Sequence, residues 1–160
     1  STSRRQRQMC IRDSRRNLSP VGRLDKNTEG LLVLTDDGAL NHRLLAPGKH
    51  IPKTYYAKID GTVTEQEVTR FAKGLEIGEK KPTAPAILEI LHSAEQSEIH
   101  VTITEGKFHQ IKRMFHAVGM EVLYLKRLSM GTLQLDETLA PGAWRELTAD
   151  EIQQLKEEQP

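Results

Sequence analysis

The sequence predicts an α+β fold, in which strands and helices follow one another in mixed order within one domain. Several short segments alternate apolar and polar side chains, which is typical of half-buried strands. Other segments carry helical capping residues at their start and glycine at their end. With 160 residues and 37% hydrophobic content, the chain is long enough for one real core and too short for two domains of ordinary size.

The elements of the first third are separated by turn signals. The apolar run at residues 31–35 predicts a buried strand, which the turn formers at residues 36–38 end. Residues 39–45 then suit a short helix. Residues 54–59 are rich in aromatic and β-branched side chains and predict another strand.

Capping and alternation define the middle of the chain. Thr64 and Glu67 have the spacing of a capping box, which predicts a helix through residue 73. Residues 86–91 and 99–104 alternate apolar and polar side chains and predict two strands of a hairpin.

The last third contains two predicted helices and several strands. Residues 107–118 predict a helix that stops at a glycine, and Thr148 with Glu151 predicts the cap of a final helix. The remaining strands are predicted at residues 122–128, 132–135 and 144–147.

Composition excludes some functional classes. No apolar run approaches the roughly 20 residues that cross a bilayer, and the basic start of the chain lacks the apolar centre of a secretory signal. The single cysteine cannot form an internal disulfide, and there is no Cys cluster or HExxH pattern for zinc. We therefore expect a cytoplasmic protein without a metal.

Charge is distributed unevenly, although the net charge is only +1. Residues 1–60 hold 12 Lys and Arg against 6 acids, whereas residues 131–160 hold 2 against 7. Two interpretations remain open: a basic surface for nucleic acid, or a solvated basic arm and an acidic last helix. Residues 1–19 are polar and without periodicity, and we expect them to be a disordered or non-native arm.

A polar loop at residues 21–30 is the first candidate for chemistry, because loops held by a rigid strand often carry reacting groups. Within it, Asp25 can serve as a nucleophile or base, and Arg23 can contact a phosphate. The alternative is that Asp25 and Thr28 are turn and capping residues and that Arg23 is solvated.

Two adjacent tyrosines form the second candidate, and they are noticeable because only 4% of the residues are aromatic. Tyr55 and Tyr56 follow Lys53 at the start of a strand, so their side chains point to opposite faces. At most one of them can stack on a base in a given pocket. The alternative is that both are ordinary strand residues.

The predicted helix at residues 107–118 is the third candidate. Helical spacing gives it an apolar face, which we expect to be core, formed by Phe108, Ile111, Phe115 and Val118. Its polar face carries His109, Lys112, Arg113 and His116. Two fixed cations and two titratable rings of this kind suit phosphates or a catalytic carboxylate. The alternative is an ordinary solvated face.

The combination and order of these segments resemble the RsuA family of pseudouridine synthases, which isomerise uridine in ribosomal RNA. The resemblance runs from Pro20 through the last helix and is carried by Gly22-Arg23-Leu24-Asp25, Thr28-Glu29-Gly30, Lys53-Thr54-Tyr55, Glu105-Gly106, residues 109–115, Leu125 with Arg127 and Gly131, and Trp144-Arg145. It implies a mixed, mainly antiparallel central sheet flanked by helices, with an active-site cleft across the sheet.

The resemblance also implies roles for individual residues. Asp25 would be the reacting carboxylate, either adding to the ribose at C1′ or removing the C2′ proton, and both routes stay open. Tyr55 would stack on the flipped uracil and serve in a later proton transfer, and Lys112 would pair with Asp25 and keep it ionised and oriented. RNA contacts are expected from Arg23, Lys53, His109, Gln110 and Arg113. The reaction involves no net redox change, so we expect no cofactor.

Members of this family usually carry a small RNA-binding domain of the S4 type and a first strand ahead of the catalytic domain. Neither is visible in residues 1–19, so we expect residues 20–160 to be the catalytic domain of a longer protein. Residues 109–115 and 129–133 resemble the branch that modifies small-subunit RNA.

We therefore expect a monomer that acts on a uridine of small-subunit (16S) ribosomal RNA or of a subunit assembly intermediate, away from membranes. Three alternatives are a site in large-subunit (23S) RNA, a non-catalytic RNA-binding relative, and a hydrolase that uses Asp25 with His109 or His116.

Overall fold

The computed structural model of the chain describes residues 17–157. Its elements are β1 Ser19–Val21, β2 Glu29–Gly30, β3 Val33–Thr35, α1 Gly38–Leu45, β4 Lys53–Asp60, α2 Glu65–Lys73, β5 Ile87–His92, β6 Gln96–Ile103, α3 Gln110–Ala117, β7 Glu121–Met130, β8 Leu133–Gln134 and α4 Ala149–Glu157. This mixture of helices and strands confirms the predicted α+β class. The predicted arm lies outside the described residues up to residue 16, and Ser19 already belongs to β1.

A six-stranded sheet forms the centre of the described residues. Its order is β2-β7-β4-β6-β5, and β8 also pairs with β7. Only the short pair of β2 and β7 is parallel, whereas the other neighbours run antiparallel. The predicted hairpin is present as β5 and β6. The sheet is therefore mixed and mainly antiparallel, as expected.

The core consists of two apolar clusters. In the first cluster, α2 and α3 pack on one face of the sheet, and the rings of Phe71 and Phe115 lie 4.8 Å apart. The second cluster joins Val21 and Val33 of the small β1–β3 ladder to α1 and α4. The loop at residues 22–28 runs from the second cluster to β2, which pairs with β7. Among residues 17–157, no helix is long and apolar enough to span a membrane.

The predicted helix caps are confirmed. Thr64 N donates to Glu67 Oε2 at 2.9 Å, which forms part of a complete capping box at the start of α2. Burial alone would raise the pKa of Glu67, but hydrogen bonds from Thr64 outweigh it and lower this pKa below its ordinary value. The same arrangement begins α4, where Thr148 N donates to Glu151 Oε1 at 2.9 Å.

One strand prediction is confirmed only in part, and another is wrong. Within the apolar run at residues 31–35, residues 33–35 form β3 and pair with β1, whereas Leu31 and Leu32 belong to no strand. Residues 144–147 form no strand, and Trp144 is 64% exposed. Side-chain bonds hold that segment instead, since Arg145 Nε donates to Asp136 Oδ2 at 2.8 Å.

Candidate active site

The loop that carries Asp25 is held by a turn and by the edge of the sheet. Thr28 N donates to Asp25 O at 3.0 Å, which closes the turn, and Leu31 N donates to Arg127 O at 2.8 Å. The prediction that Asp25 is a turn residue is therefore right for its backbone. Because the backbone carbonyl makes this bond, the carboxylate is left free to reach another element.

The Asp25 carboxylate faces two side chains at the start of α3. Lys112 Nζ lies 3.7 Å from Asp25 Oδ2, and His109 Nε2 lies 3.7 Å from Asp25 Oδ1. The side chains of Asp25, Lys112 and His109 are 28%, 32% and 41% exposed. A carboxylate is thus flanked on both oxygens by basic groups while solvent and a ligand can still reach it.

The backbone at the start of α3 is fixed in an unusual conformation. His109 has φ 47°, in the left-handed region that non-glycine residues rarely adopt. Gln110 stabilises this bend, because Lys107 N donates to Gln110 Oε1 at 3.0 Å and Gln110 Nε2 donates to Glu105 Oε1 at 2.9 Å. Gln110 is only 4% exposed. The Gln110 side chain therefore has no free donor for the RNA contact that the sequence predicted.

Arg113 is also engaged within the protein. Its Nη1 donates to Glu79 Oε1 at 2.8 Å and to Phe108 O at 2.9 Å, and its Nη2 donates to Ile77 O. The Arg113 guanidinium holds the pKa of Glu79 below its ordinary value. These bonds tie the loop after α2 to the start of α3, so a phosphate contact by Arg113, as predicted, would compete with them.

Tyr55 lies on the buried face of β4, and Tyr56 on the opposite face, as the strand pattern predicts. Tyr55 is 9% exposed within the first cluster. Tyr56 instead donates a hydrogen bond to Glu98. This bond is the main reason that the pKa of the Tyr56 phenol rises to about 12. Within residues 17–157, Tyr55 makes no hydrogen bond to Asp25. Arg127, the β7 neighbour of Tyr55, bonds the chain at Leu31, just after the Asp25 loop.

Arg127 is a buried cation beneath the Asp25 loop. It is 2% exposed, its Nε donates to Leu31 O at 2.8 Å, and its Nη2 has no hydrogen-bond partner among the described residues. Burial and, secondarily, the charge of Arg127 lower the pKa of Lys53. Because the two neighbouring cations repel each other, a bound anion would stabilise the charged forms of both side chains.

No role for Arg127 was predicted, although strand alternation gives a signal for its burial. Residues 125 and 127 share a face of the predicted strand, and Leu125 is an evident core residue. The alternation therefore places Arg127 on the side of the core.

Arg23 and Lys112 supply accessible positive charge in this region. Arg23 is exposed at the edge of the Asp25 loop. A surface cavity of about 310 Å³ runs along α3 and is lined by His109, Lys112, Arg113, His116, Met120, Glu121 and Val122. Asp25 does not line this cavity, but two of its lining residues, His109 and Lys112, face the Asp25 carboxylate.

Phe108 does not lie in the core, so the prediction for it is wrong. Its side chain is 74% exposed, and its ring stacks on His109 with centroids 3.8 Å apart. The helix begins only at Gln110, and the left-handed backbone of His109 takes residue 108 out of the helical phase. Met114 fills the apolar face instead and is fully buried.

The chain matches the family model of RNA pseudouridylate synthases over residues 3–117 and belongs to that family. It is 50% identical over 141 residues to the uncharacterized RNA pseudouridine synthase YtzG of Bacillus subtilis, covering 88% of this chain and 59% of that protein. It is 44% identical over 136 residues to ribosomal small subunit pseudouridine synthase A of Salmonella typhimurium, covering 84% of this chain and 58% of that protein.

Solved structures agree with this assignment. The fold matches a crystal structure of a pseudouridylate synthase with a TM-score of 0.83 and 45% identity, over 86% of this chain and 59% of that one. Human RNA pseudouridylate synthase domain containing 1 shares the fold alone, with a TM-score of 0.54 and 15% identity over 96% of this chain and 86% of that one. The chain spans about three fifths of the length of its bacterial relatives.

Proposed function

We propose that this protein isomerises a uridine of small-subunit ribosomal RNA to pseudouridine, with Asp25 as the reacting carboxylate. The observation that carries the proposal is the position of the Asp25 carboxylate, 3.7 Å from both Lys112 Nζ and His109 Nε2 in a member of the RNA pseudouridylate synthase family. The small-subunit substrate is supported by the 44% identity to an enzyme that bears that name.

The reaction breaks the bond between ribose C1′ and uracil N1 and forms a bond between C1′ and C5. The C5 proton is lost and N1 gains a proton, so substrate and product have the same composition. Asp25 acts at the ribose, either by adding to C1′ or by removing the C2′ proton. Both routes require a carboxylate that is oriented toward the sugar, and the Lys112 ammonium group favours one orientation by attracting Oδ2.

The target base has to leave its stack to reach a carboxylate in this setting, which costs a few kcal/mol. Tyr55 is assigned as the platform for the uracil, and because it is only 9% exposed, the base would meet just the uncovered part of its ring. Arg23 is assigned to the backbone of the flipped nucleotide because it is exposed two residues from Asp25. A phosphate or an enolate-like oxygen near Lys53 and Arg127 would relieve the repulsion between these two cations.

The proposal is tested by expressing the chain, and separately its Asp25→Asn variant, in bacteria that lack their own small-subunit synthase. Pseudouridine is then mapped in both ribosomal RNAs. We expect one new pseudouridine in 16S RNA with the wild-type chain and none with Asp25→Asn, because the amide can neither add to C1′ nor take a proton. The Asp25→Asn variant should still bind RNA, because the substitution removes no positive charge that could contact a phosphate.

Each alternative gives a different result. A new pseudouridine in 23S RNA would assign the substrate to the large subunit. RNA binding without any new pseudouridine, in the wild-type chain and the variant alike, would indicate a non-catalytic relative. Release of free uracil or ribose would indicate a hydrolase that uses Asp25 with a histidine.

A further inference from the structure

Phe108 is the most exposed of the large hydrophobic side chains in residues 17–157 that lie outside the core. It is 74% exposed, whereas its neighbours Gln110 and Ile111 are buried. Burying an aromatic side chain is normally favourable, and this one stays exposed while its ring stacks on His109, which faces Asp25.

The backbone holds Phe108 in this position from both sides. His109, which follows it, has φ 47°. The Phe108 carbonyl accepts a bond from Arg113 Nη1 at 2.9 Å, and the preceding Lys107 amide donates to Gln110 Oε1 at 3.0 Å. Strained conformations of this kind persist where the surroundings enforce them, often at functional sites. The ring is therefore presented by a fixed backbone rather than by a free loop.

One face of the Phe108 ring is covered and the other is open. The covered face lies on the His109 imidazole, with centroids 3.8 Å apart and planes inclined by 19°. His109 in turn faces Asp25 at 3.7 Å. A flat group placed on the open face would extend this stack, and it would lie two ring layers from the imidazole that contacts the reacting carboxylate.

Two partly exposed lysines lie close to Phe108 along the chain. Lys107 and Lys112 are one and four positions away, with 24% and 32% of their side chains accessible, and each faces one carboxylate, Glu105 at 3.8 Å and Asp25 at 3.7 Å. Lys80 and Lys81 belong to the segment that Lys107 contacts through the Lys81 carbonyl, at 3.2 Å. Such a combination of an aromatic face and nearby cations is typical of single-stranded nucleic-acid contacts.

We propose that Phe108 is a stacking platform for a nucleobase that flanks the reacting uridine. This inference rests on the proposed function and adds a contact to it. When the uridine leaves its stack, a neighbouring base loses a stacking partner, and the open face of Phe108 supplies a replacement close to Asp25. The contact therefore offsets part of the free-energy cost of flipping.

The test compares the single-turnover rate and the apparent affinity of wild-type chain, Phe108→Ala, Phe108→Leu and Phe108→Trp. The substrate is a tritium-labelled RNA stem-loop that spans the uridine modified by the wild-type chain. Ile87→Ala is the matched control, because Ile87 is 70% exposed on β5, the edge strand of the sheet. Thermal unfolding is measured for every variant.

We expect Phe108→Ala to lower kcat/KM about 10- to 100-fold, the usual effect of removing a base–aromatic stack. Phe108→Trp should stay within about threefold of the wild-type chain, and Phe108→Leu should resemble Phe108→Ala, since a leucine has no ring face. Ile87→Ala should leave kcat/KM unchanged. On RNAs in which the base 5′ or 3′ to the target is replaced by an abasic site, one of the two should abolish the difference between wild-type and Phe108→Ala.

Different failures lead to different conclusions. If the wild-type chain forms no pseudouridine in any ribosomal RNA, the proposed function fails and this inference falls with it. If the wild-type chain is active and Phe108→Ala stays within threefold, the inference alone is wrong. Full activity of Phe108→Leu, or a deficit of Phe108→Ala that persists on both abasic RNAs, would show that Phe108 contacts protein rather than a base.

Discussion

Replacing Lys112 with methionine tests whether the charge beside Asp25 contributes to catalysis. The two groups are 3.7 Å apart, a separation at which unit charges attract by about 1 kcal/mol in water and about 4 kcal/mol at an effective dielectric constant of 20. Because the side chains are 32% and 28% exposed, solvent screening places the energy near the lower end, about 1–2 kcal/mol. We expect kcat/KM for pseudouridine formation to fall about 5- to 30-fold in Lys112→Met.

The assay is tritium release from uracil C5 under single-turnover conditions, combined with thermal unfolding. Lys112→Met should unfold within about 1 kcal/mol of the wild-type chain, since partly exposed ion pairs stabilise proteins little. Lys112→Arg should retain intermediate activity, because it keeps the charge but replaces a point charge with a planar fork.

Lys126→Met is the matched control, because Lys126 is a half-buried lysine on β7 that lines a cavity with Tyr56 and His100. It should remain active. Activity of Lys112→Met within twofold of the wild-type chain, or an equal loss in Lys126→Met, would refute the reasoning.

Two further predictions concern the scaffold of the site. A Cβ at Gly30 would lie 2.2 Å from the Arg127 carbonyl oxygen at φ 103°, so Gly30→Ala should lower the free energy of unfolding by about 2–4 kcal/mol and reduce activity by displacing the Asp25 loop. Gly38→Ala, where no atom lies within 4 Å, is the control, and a stable Gly30→Ala in urea unfolding would contradict the clash. Glu67 has a lowered pKa in the folded chain, so the unfolded chain binds a proton at this residue more readily. The contribution of Glu67 to the free energy of unfolding is therefore present above the ordinary pKa of 4.5 and is lost as the pH falls below it. Glu67→Gln should therefore cost about 1 kcal/mol at pH 7 and less at pH 3, and an equal cost at both pH values in urea unfolding would count against this assignment.

Local chemistry made much of the fold predictable. A capping box depends on two side chains three residues apart, so Thr64 and Glu67 identify the start of α2 without knowledge of the rest of the chain. Strand alternation likewise places Tyr55 and Tyr56 on opposite faces, because successive strand residues point in opposite directions.

The wrong predictions depend on distant partners. The apolar run at residues 31–35 is a strand only from Val33, where it pairs with β1, because Leu31 N instead bonds Arg127 O outside any strand. Neither partner belongs to the run itself. Phe108 was assigned to the core because helical spacing was assumed to continue through residue 109, whose left-handed backbone is held by tertiary contacts.

The sequence by itself determined the class of fold, the family and the identity of Asp25 and Lys112 as candidate residues, because these follow from local patterns and from the order of motifs. Only the tertiary structure decided that the two side chains meet at 3.7 Å, that Gln110 and Arg113 make their bonds within the protein, and that Phe108 faces solvent. The physical reason is that Asp25 lies on a loop leading from the second cluster, whereas α3 packs in the first, so their approach depends on how the two clusters join across the sheet.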